Sequence, residues 1–165
     1  MTVRIEIETP LQDDVRVLID DLNAHLLPLS PPEFQFKMTV EQMAGPDTTV
    51  FVARDDNGDA VGCGALKMHD AGIGEVIGEV KRMYTREHVR GKRVGSALLE
   101  AITGLARQKG VTHLVLETGN VSGFESAWRL YENAGFKRCG VVLDYPDSEY
   151  SAFFEKRLLG RTDRI

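Results

Sequence analysis

The first forty residues change hydrophobic period twice. Residues 3–8, Val-Arg-Ile-Glu-Ile-Glu, alternate apolar and polar as a strand does. Leu11, Val15, Leu18, Leu22 and Leu26 then recur at helical spacing, with Asp13, Asp14, Arg16, Asp20 and Asp21 on the other faces, which predicts an amphipathic helix. Pro28, Pro31 and Pro32 end it, because proline lacks the N–H a helix needs, and residues 27–38 read as a loop carrying Phe34 and Phe36. Period two returns at 48–54. Asp56-Asn57-Gly58-Asp59 supplies turn chemistry and 60–68 a second strand, so the pair reads as a hairpin. Gly72 and Gly74 mark another turn before a third strand at 75–85, completing an antiparallel meander. From there helices at 94–108 and 124–134 alternate with strands at 113–118, 136–142 and 151–158, and a helix between two strands predicts a parallel crossover. The class is α/β with a mixed sheet, and the residues after Leu159 are expected to fray.

Length and composition narrow this picture. The 165 residues suit one domain spanning 1–165. No stretch approaches the ~18 to 20 apolar residues of a membrane span, and the N-terminus lacks the apolar core of a signal peptide, so a cytoplasmic protein is expected. A net charge of −5 argues against coating nucleic acid or an anionic membrane, both of which demand a cationic surface. Cys63 and Cys139 form no CxxC pair and read as core thiols. His25, His69, His88 and His113 show no ligand spacing, so no metal is predicted.

Against that acidic background one basic stretch stands out. Residues 79–96 run from a strand, Glu79-Val80-Lys81-Arg82-Met83-Tyr84-Thr85, through Arg90-Gly91-Lys92-Arg93 to a helix start at Val94-Gly95-Ser96. The helix is firm, since Val94, Ala97, Leu98, Ala101, Ile102, Leu105 and Ala106 make one apolar stripe. Its first turn therefore presents unpaired N–H groups and a positive dipole end to the basic loop, an arrangement suited to a diphosphate. A solvated charged face is the plainer alternative. Neither a Walker A loop nor a GxGxxG dinucleotide fingerprint occurs, and the lone Gly62-Cys63-Gly64 and Gly72-Ile73-Gly74 pairs read as turn and hairpin glycines.

Arg90-Gly91-Lys92-Arg93-Val94-Gly95 resembles the Q/R-x-x-G-x-G/A motif of the GNAT N-acetyltransferases, and Ala127-Trp128-Arg129-Leu130-Tyr131-Glu132-Asn133-Ala134-Gly135-Phe136 resembles that family's A-x-x-L-Y-x-x-x-G-F signature. The two stand in the family's order, one helix and one strand apart, and the resemblance covers residues 3–158. Residues 78–84, 116–119, Cys139-Gly140, Asp144-Tyr145-Pro146 and Ser151 look like a bacterial subgroup of small acetyltransferases. The resemblance implies the GNAT acyl-CoA N-acyltransferase fold: a central mixed sheet with an antiparallel N-terminal half, a splayed strand pair and flanking helices. It also implies acetyl-CoA as donor, contacted by Met83, Tyr84 and Thr85 on the splayed strand and by Arg90, Gly91, Lys92, Arg93, Val94, Gly95 and Ser96 in the loop and helix start. Arg93 stands where the family usually has its first motif glycine. Phe124 replaces the asparagine many members carry seven residues before the signature tyrosine, which makes Asn120 the substitute candidate.

Acyl transfer from a thioester to an amine needs a neutral amine, a polarised carbonyl and a thiolate that can be protonated. The resemblance gives the acid role to Tyr131, and Glu79 is the candidate base, with Glu75 and Glu117 as competitors near the expected sheet centre; a backbone N–H near Met83 or Tyr84 would polarise the carbonyl. Lys81 and Arg82 should alternate faces, so at most one points into the cleft, where a cation favours an acceptor carrying a carboxylate. Tyr145, Tyr150 and the loop at 27–38 are expected to wall that cleft. The expected function is acetylation of a primary amine on a small molecule, possible acceptors including amino acids. A protein amine, a non-catalytic acyl-CoA-binding module and a nucleic-acid patch are the weighed alternatives, and a homodimer rests on fold analogy alone.

Overall fold

A computed structural model describes residues 2–70 and 74–158. Gly72 of the expected turn and the tail expected to fray after Leu159 lie outside the described residues. The strands are β1 (Arg4–Ile7), β2 (Thr48–Arg54), β3 (Ala60–Asp70), β4 (Val76–Thr85), β5 (His113–Gly119), β6 (Lys137–Cys139) and β7 (Ser151–Arg157), and the helices are α1 (Asp13–Leu26), α2 (Val40–Met43), α3 (Val94–Gln108) and α4 (Glu125–Asn133). Among the described residues the strands form one sheet in the order β1-β2-β3-β4-β5-β7-β6. Strands β1 to β4 are antiparallel neighbours, β4 and β5 are parallel across the α3 crossover, and β5, β7 and β6 return to antiparallel pairing.

Each face of the sheet is covered by the helix whose apolar stripe fits it. Leu98, Leu99, Ile102 and Ala106 of α3 pack with Leu66, Val80, Leu114 and Leu116 on one face. Val15, Leu18 and Ile19 of α1 pack with Val50, Val52, Cys63 and Ala65 on the other. A core leucine of this kind contributes ~2 to 5 kcal/mol against alanine, so α3 is held firmly and its first turn has a fixed position.

Two features of the central strands create the site. The parallel pairing of β4 with β5 is confined to Ile77↔His113, Gly78↔Leu114 and Glu79↔Val115, after which the strands diverge although both continue. Beyond that point β4 carries a bulge: Cys63 pairs with Tyr84 and Ala65 with Lys81, leaving Arg82 and Met83 together opposite Gly64. Arg82 adopts a left-handed φ of 56° to make it. Gly64 permits the bulge, since a Cβ there would lie 2.5 Å from the Met83 sulfur. The strict alternation expected for Lys81 and Arg82 therefore fails, and both residues line the cleft.

Three smaller expectations are corrected. The strand expected over 136–142 is only Lys137–Cys139, because Leu143 takes a φ of 51° and folds with Val142 and Tyr145 onto Phe153. The α2 turn was not anticipated, although Thr39-Val40-Glu41-Gln42 is a capping box: Gln42 N–H donates to Thr39 Oγ1 at 3.1 Å and Thr39 N–H to Gln42 Oε1 at 2.8 Å. Cys63 is a core thiol, but Cys139 lies half-buried on the outermost strand.

Candidate active site

The divergence of β4 and β5 opens a cleft of about 590 Å³, a size usual for small-ligand sites. One end is built by the start of α3. Gly91 has φ 81° and Arg93, the residue before the helix, φ 64°, so the chain curls twice before Val94. No side chain caps this helix, which leaves its first N–H groups and its dipole facing the cleft. An added Cβ at Gly91 meets nothing within 4 Å, so the curl is open to a ligand on that side. Arg90, Gly91 and Arg93 to Ser96 line this end and Met83 to Thr85 the facing strand, whereas Lys92 does not reach it. A diphosphate-bearing coenzyme fits these features: an uncapped helix terminus, a glycine curl and exposed arginines.

Asn120 is not brought to the cleft. Its side-chain oxygen accepts from Arg138 at 3.1 Å and its amide donates to the Glu149 carbonyl at 3.4 Å. Phe124 takes the position instead, its ring lying over Gly119 and lining the cleft.

Tyr131 of α4 lies on the α3 side of the sheet, packed against Phe136 and Phe154 at centroid distances of 6.0 and 5.8 Å. Burial, reinforced by the nearby Glu117 charge, pushes its pKa well above that of an ordinary phenol. Its ring is therefore core as well as cleft wall, which joins two sequence readings of the same residue.

On the opposite face, where strand alternation puts them together, stand two carboxylates. Glu79 is only 2% exposed. His69 Nε2 donates to its Oε1 at 2.9 Å, Lys81 Nζ lies 3.4 Å from its Oε2, and the Tyr145 hydroxyl donates to that same oxygen. Burial alone would raise its pKa, but the hydrogen bonds from His69 and Tyr145 and the Lys81 charge outweigh it and hold Glu79 below the usual carboxylate range. Glu117 has fewer partners. Ser151 donates to it at 2.7 Å, and burial, with the Glu79 charge adding to it against Ser151 and Lys81, pushes its pKa up to about 7. Glu75, weighed beside these two, lies before β4 and pairs with Arg157 and His113, away from the cleft.

The remaining walls come from α1, the loop after it and the loop before β7. Leu22, His25 and Leu26 contribute with Phe34 and Phe36. Phe36 meets Tyr145 edge-on at 5.0 Å and Phe34 stacks on Tyr150 at 5.1 Å, so the loop and Tyr145 wall the cleft as expected, whereas Tyr150 does not line it and instead packs against Phe34. His69 escaped the sequence reading, since only the β3–β4 register, with Lys67 opposite Glu79, brings it within reach. Glu117, weighed from the sequence only as a competitor of Glu79, follows directly on the apolar run Leu114-Val115-Leu116 of β5, a position that brings a carboxylate into the sheet.

A mixed sheet with a splayed central pair, an uncapped helix terminus at one end of the gap and two acids at the other is the arrangement that the sequence resemblance implies for a coenzyme A-dependent acyltransferase. The comparisons with known proteins agree. A family model described as "Acetyltransferase (GNAT) domain" matches residues 46–138. The chain is 39% identical to an "IAA acetyltransferase" of Azospirillum brasilense, over 94% of this chain and 98% of that one. It is 36% identical to the uncharacterized N-acetyltransferase YsnE of Bacillus subtilis, over 87% and 93%. A solved structure described as an acyl-CoA N-acyltransferase of Klebsiella pneumoniae superposes with a TM-score of 0.76 at 30% identity, covering 95% and 98%. The chain belongs to the GNAT acetyltransferase family and is an acyltransferase.

Proposed function

We propose that this chain transfers an acetyl group from acetyl-CoA to a primary amine of a small molecule, amino acids among the acceptors, within a single domain spanning 1–165. The observation that carries the reading is the pair of carboxylates set across a splayed gap from an uncapped helix terminus, Glu79 buried and Glu117 half-buried, with pKa shifts in opposite directions. Bound acetyl-CoA supplies the activated thioester. Gly91 and the α3 N–H groups would hold its diphosphate, with Arg90 and Arg93 as outer charges. Met83, freed from regular pairing by the bulge, would offer its backbone N–H to the acyl carbonyl, with Tyr84, paired to Cys63, as the next candidate along the strand.

An amine reaches neutral pH as an ammonium and must lose a proton to become a nucleophile. Glu79 is the base expected from the sequence; the opposed shifts support a division of labour in which Glu79 stays ionised and Glu117, near 7, takes the proton. Tyr131 keeps its proton at neutral pH and can hydrogen-bond the departing sulfur. A coenzyme thiol leaves well without full protonation, so this contribution is small. The test is thiol release from acetyl-CoA across a panel of primary amines, with Glu117→Gln as the catalytic control. Coenzyme binding without release from any amine would instead leave a non-catalytic acyl-CoA-binding module.

A further inference from the structure

Arg82 is 8% exposed and lines the cleft, yet it meets no carboxylate among the described residues. Its Nη2 donates to the neutral Asn23 side-chain oxygen, and its Nε is buried with no partner. A buried guanidinium without a counter-charge is costly, and the left-handed backbone at this residue adds strain. Among the described residues one other buried side-chain atom lacks a partner, Gln35 Oε1. Gln35 also lines the cleft, and its Nε2 is fixed by the Ser30 and Leu26 carbonyls at 2.6 and 2.8 Å, so the oxygen is the end left over. Both orphans, a donor and an acceptor, belong to this one cavity.

We propose that Arg82 receives a carboxylate of the acceptor, so that the acetylated amine belongs to an amino acid with an apolar or aromatic side chain. The proposal rests on reading the cleft as an acetyltransferase acceptor site. Lys81 is already committed, its Nζ lying 2.9 Å from the Tyr145 hydroxyl and 3.4 Å from Glu79, so Arg82 is the buried cation with capacity to spare. The acids Glu79 and Glu117 attract an ammonium, while Arg82, directed toward α1 through Asn23, attracts the opposite charge. The cleft is thus polarised as a zwitterion is. Leu22, Leu26, Phe34, Phe36 and Tyr145 form the apolar wall between, suited to a side chain with no charge. A polycationic amine would meet Arg82 as a buried like charge.

The experiment measures thiol release at saturating acetyl-CoA with amino acids and their decarboxylated partners, phenylalanine against phenethylamine and leucine against 3-methylbutylamine, together with β- and γ-amino acids and spermidine. The wild type is expected to prefer the carboxylated member by roughly a hundredfold in kcat/KM. Arg82→Gln should erase that preference through KM for the amino acid, leaving kcat within a few-fold and the acetyl-CoA Kd unchanged. It should also match or exceed the wild-type Tm, because an unpaired charge is removed; a merely structural arginine would lower it. If the variant fails to fold, thermal shift of the wild type decides: phenylalanine should raise Tm and phenethylamine should not. Equal turnover of plain amines, or an Arg82→Gln defect confined to acetyl-CoA binding, overturns this inference while leaving the acetyltransferase reading intact. Failure of the wild type to bind acetyl-CoA overturns both.

Discussion

The two ends of the cleft are built from different materials. At the proposed coenzyme end the groups on offer are backbone N–H groups at the start of α3, shaped by Gly91 at φ 81°, and the side chains around them, Arg90, Lys92 and Arg93, are exposed. At the acceptor end the groups are side chains, largely buried, drawn from α1, the loop after it, β3, β4, β5 and the loop before β7. A backbone cradle tolerates changes of side chain but not of chain path. A cage of side chains can be retuned residue by residue. The shared donor would therefore be held by main chain across relatives, while acceptor choice sits in residues such as Arg82, Phe34 and Tyr145.

The largest expected effect tests the main-chain end. Gly91→Asp forces a strained φ and sets a carboxylate against the expected diphosphate, and should weaken acetyl-CoA binding by more than roughly a hundredfold in calorimetry. Gly91→Ala isolates the backbone part and should cost less. An affinity within threefold of wild type for Gly91→Asp would mean that the coenzyme does not lie on this curl.

Next comes the side-chain end. Glu117→Gln should lower kcat/KM by ~10²- to 10³-fold, within the range for a lost general base, and abolish the rising limb of the pH profile expected near 7. Glu79→Gln should leave that limb in place but move it to lower pH, because the Glu79 charge is part of what raises Glu117. If instead Glu79→Gln abolishes the limb, the two roles are exchanged. The same pair predicts a stability difference. Folded Glu117 binds its proton up to about pH 7 whereas the unfolded carboxyl releases it near 4.5, so wild-type stability falls as pH rises through this window. Glu117→Gln lacks the penalty. It should gain up to about 3 kcal/mol over wild type at pH 8 and nothing from this source below pH 4.5, measured by urea unfolding at both pH values.

The contrast in materials also explains what the sequence made legible. The proposed coenzyme end is contiguous, so Arg90 to Ser96, of which all but Lys92 line the cleft, could be read from one stretch, and the α3 stripe placed its helix start correctly at Val94. Strand and helix periods likewise located most elements. The acceptor end depends on contacts between distant residues, such as His69 with Glu79 ten positions on and Tyr145 sixty-six positions from Glu79. No periodicity reports that. Arg82 was misjudged for a local reason, a bulge opposite Gly64, whose glycine is visible in the sequence but whose partner is fixed only by register.

Tyr131→Phe should have a smaller effect, roughly tenfold in kcat, with the acetyl-CoA Kd and Tm nearly unchanged because the ring still fills its place beside Phe136 and Phe154. A loss above a thousandfold would show that the thiolate must be fully protonated as it leaves. Acceptors with more basic amines would then be no easier to acetylate in the variant.

The smallest expected effect is the sharpest probe of the comparison. Arg93 adopts φ 64°, ψ 21° just before α3, where a left-handed backbone costs a non-glycine residue ~1 to 2 kcal/mol. Arg93→Gly removes that strain but loosens the unfolded chain by ~0.5 to 1 kcal/mol, so the net gain is at most about 1.5 kcal/mol, a rise of no more than ~3 to 6 °C in Tm. Glycine can keep the same backbone path, and among the described residues the exposed guanidinium makes no hydrogen bond or ion pair that fixes the curl. If main chain does the binding, the acetyl-CoA Kd should shift by no more than about threefold, with a slightly weaker salt dependence from the lost charge. A weakening beyond about thirtyfold would mean that Arg93 grips the diphosphate directly, that the left-handed strain is retained to aim its side chain, and that the coenzyme end is built like the acceptor end after all.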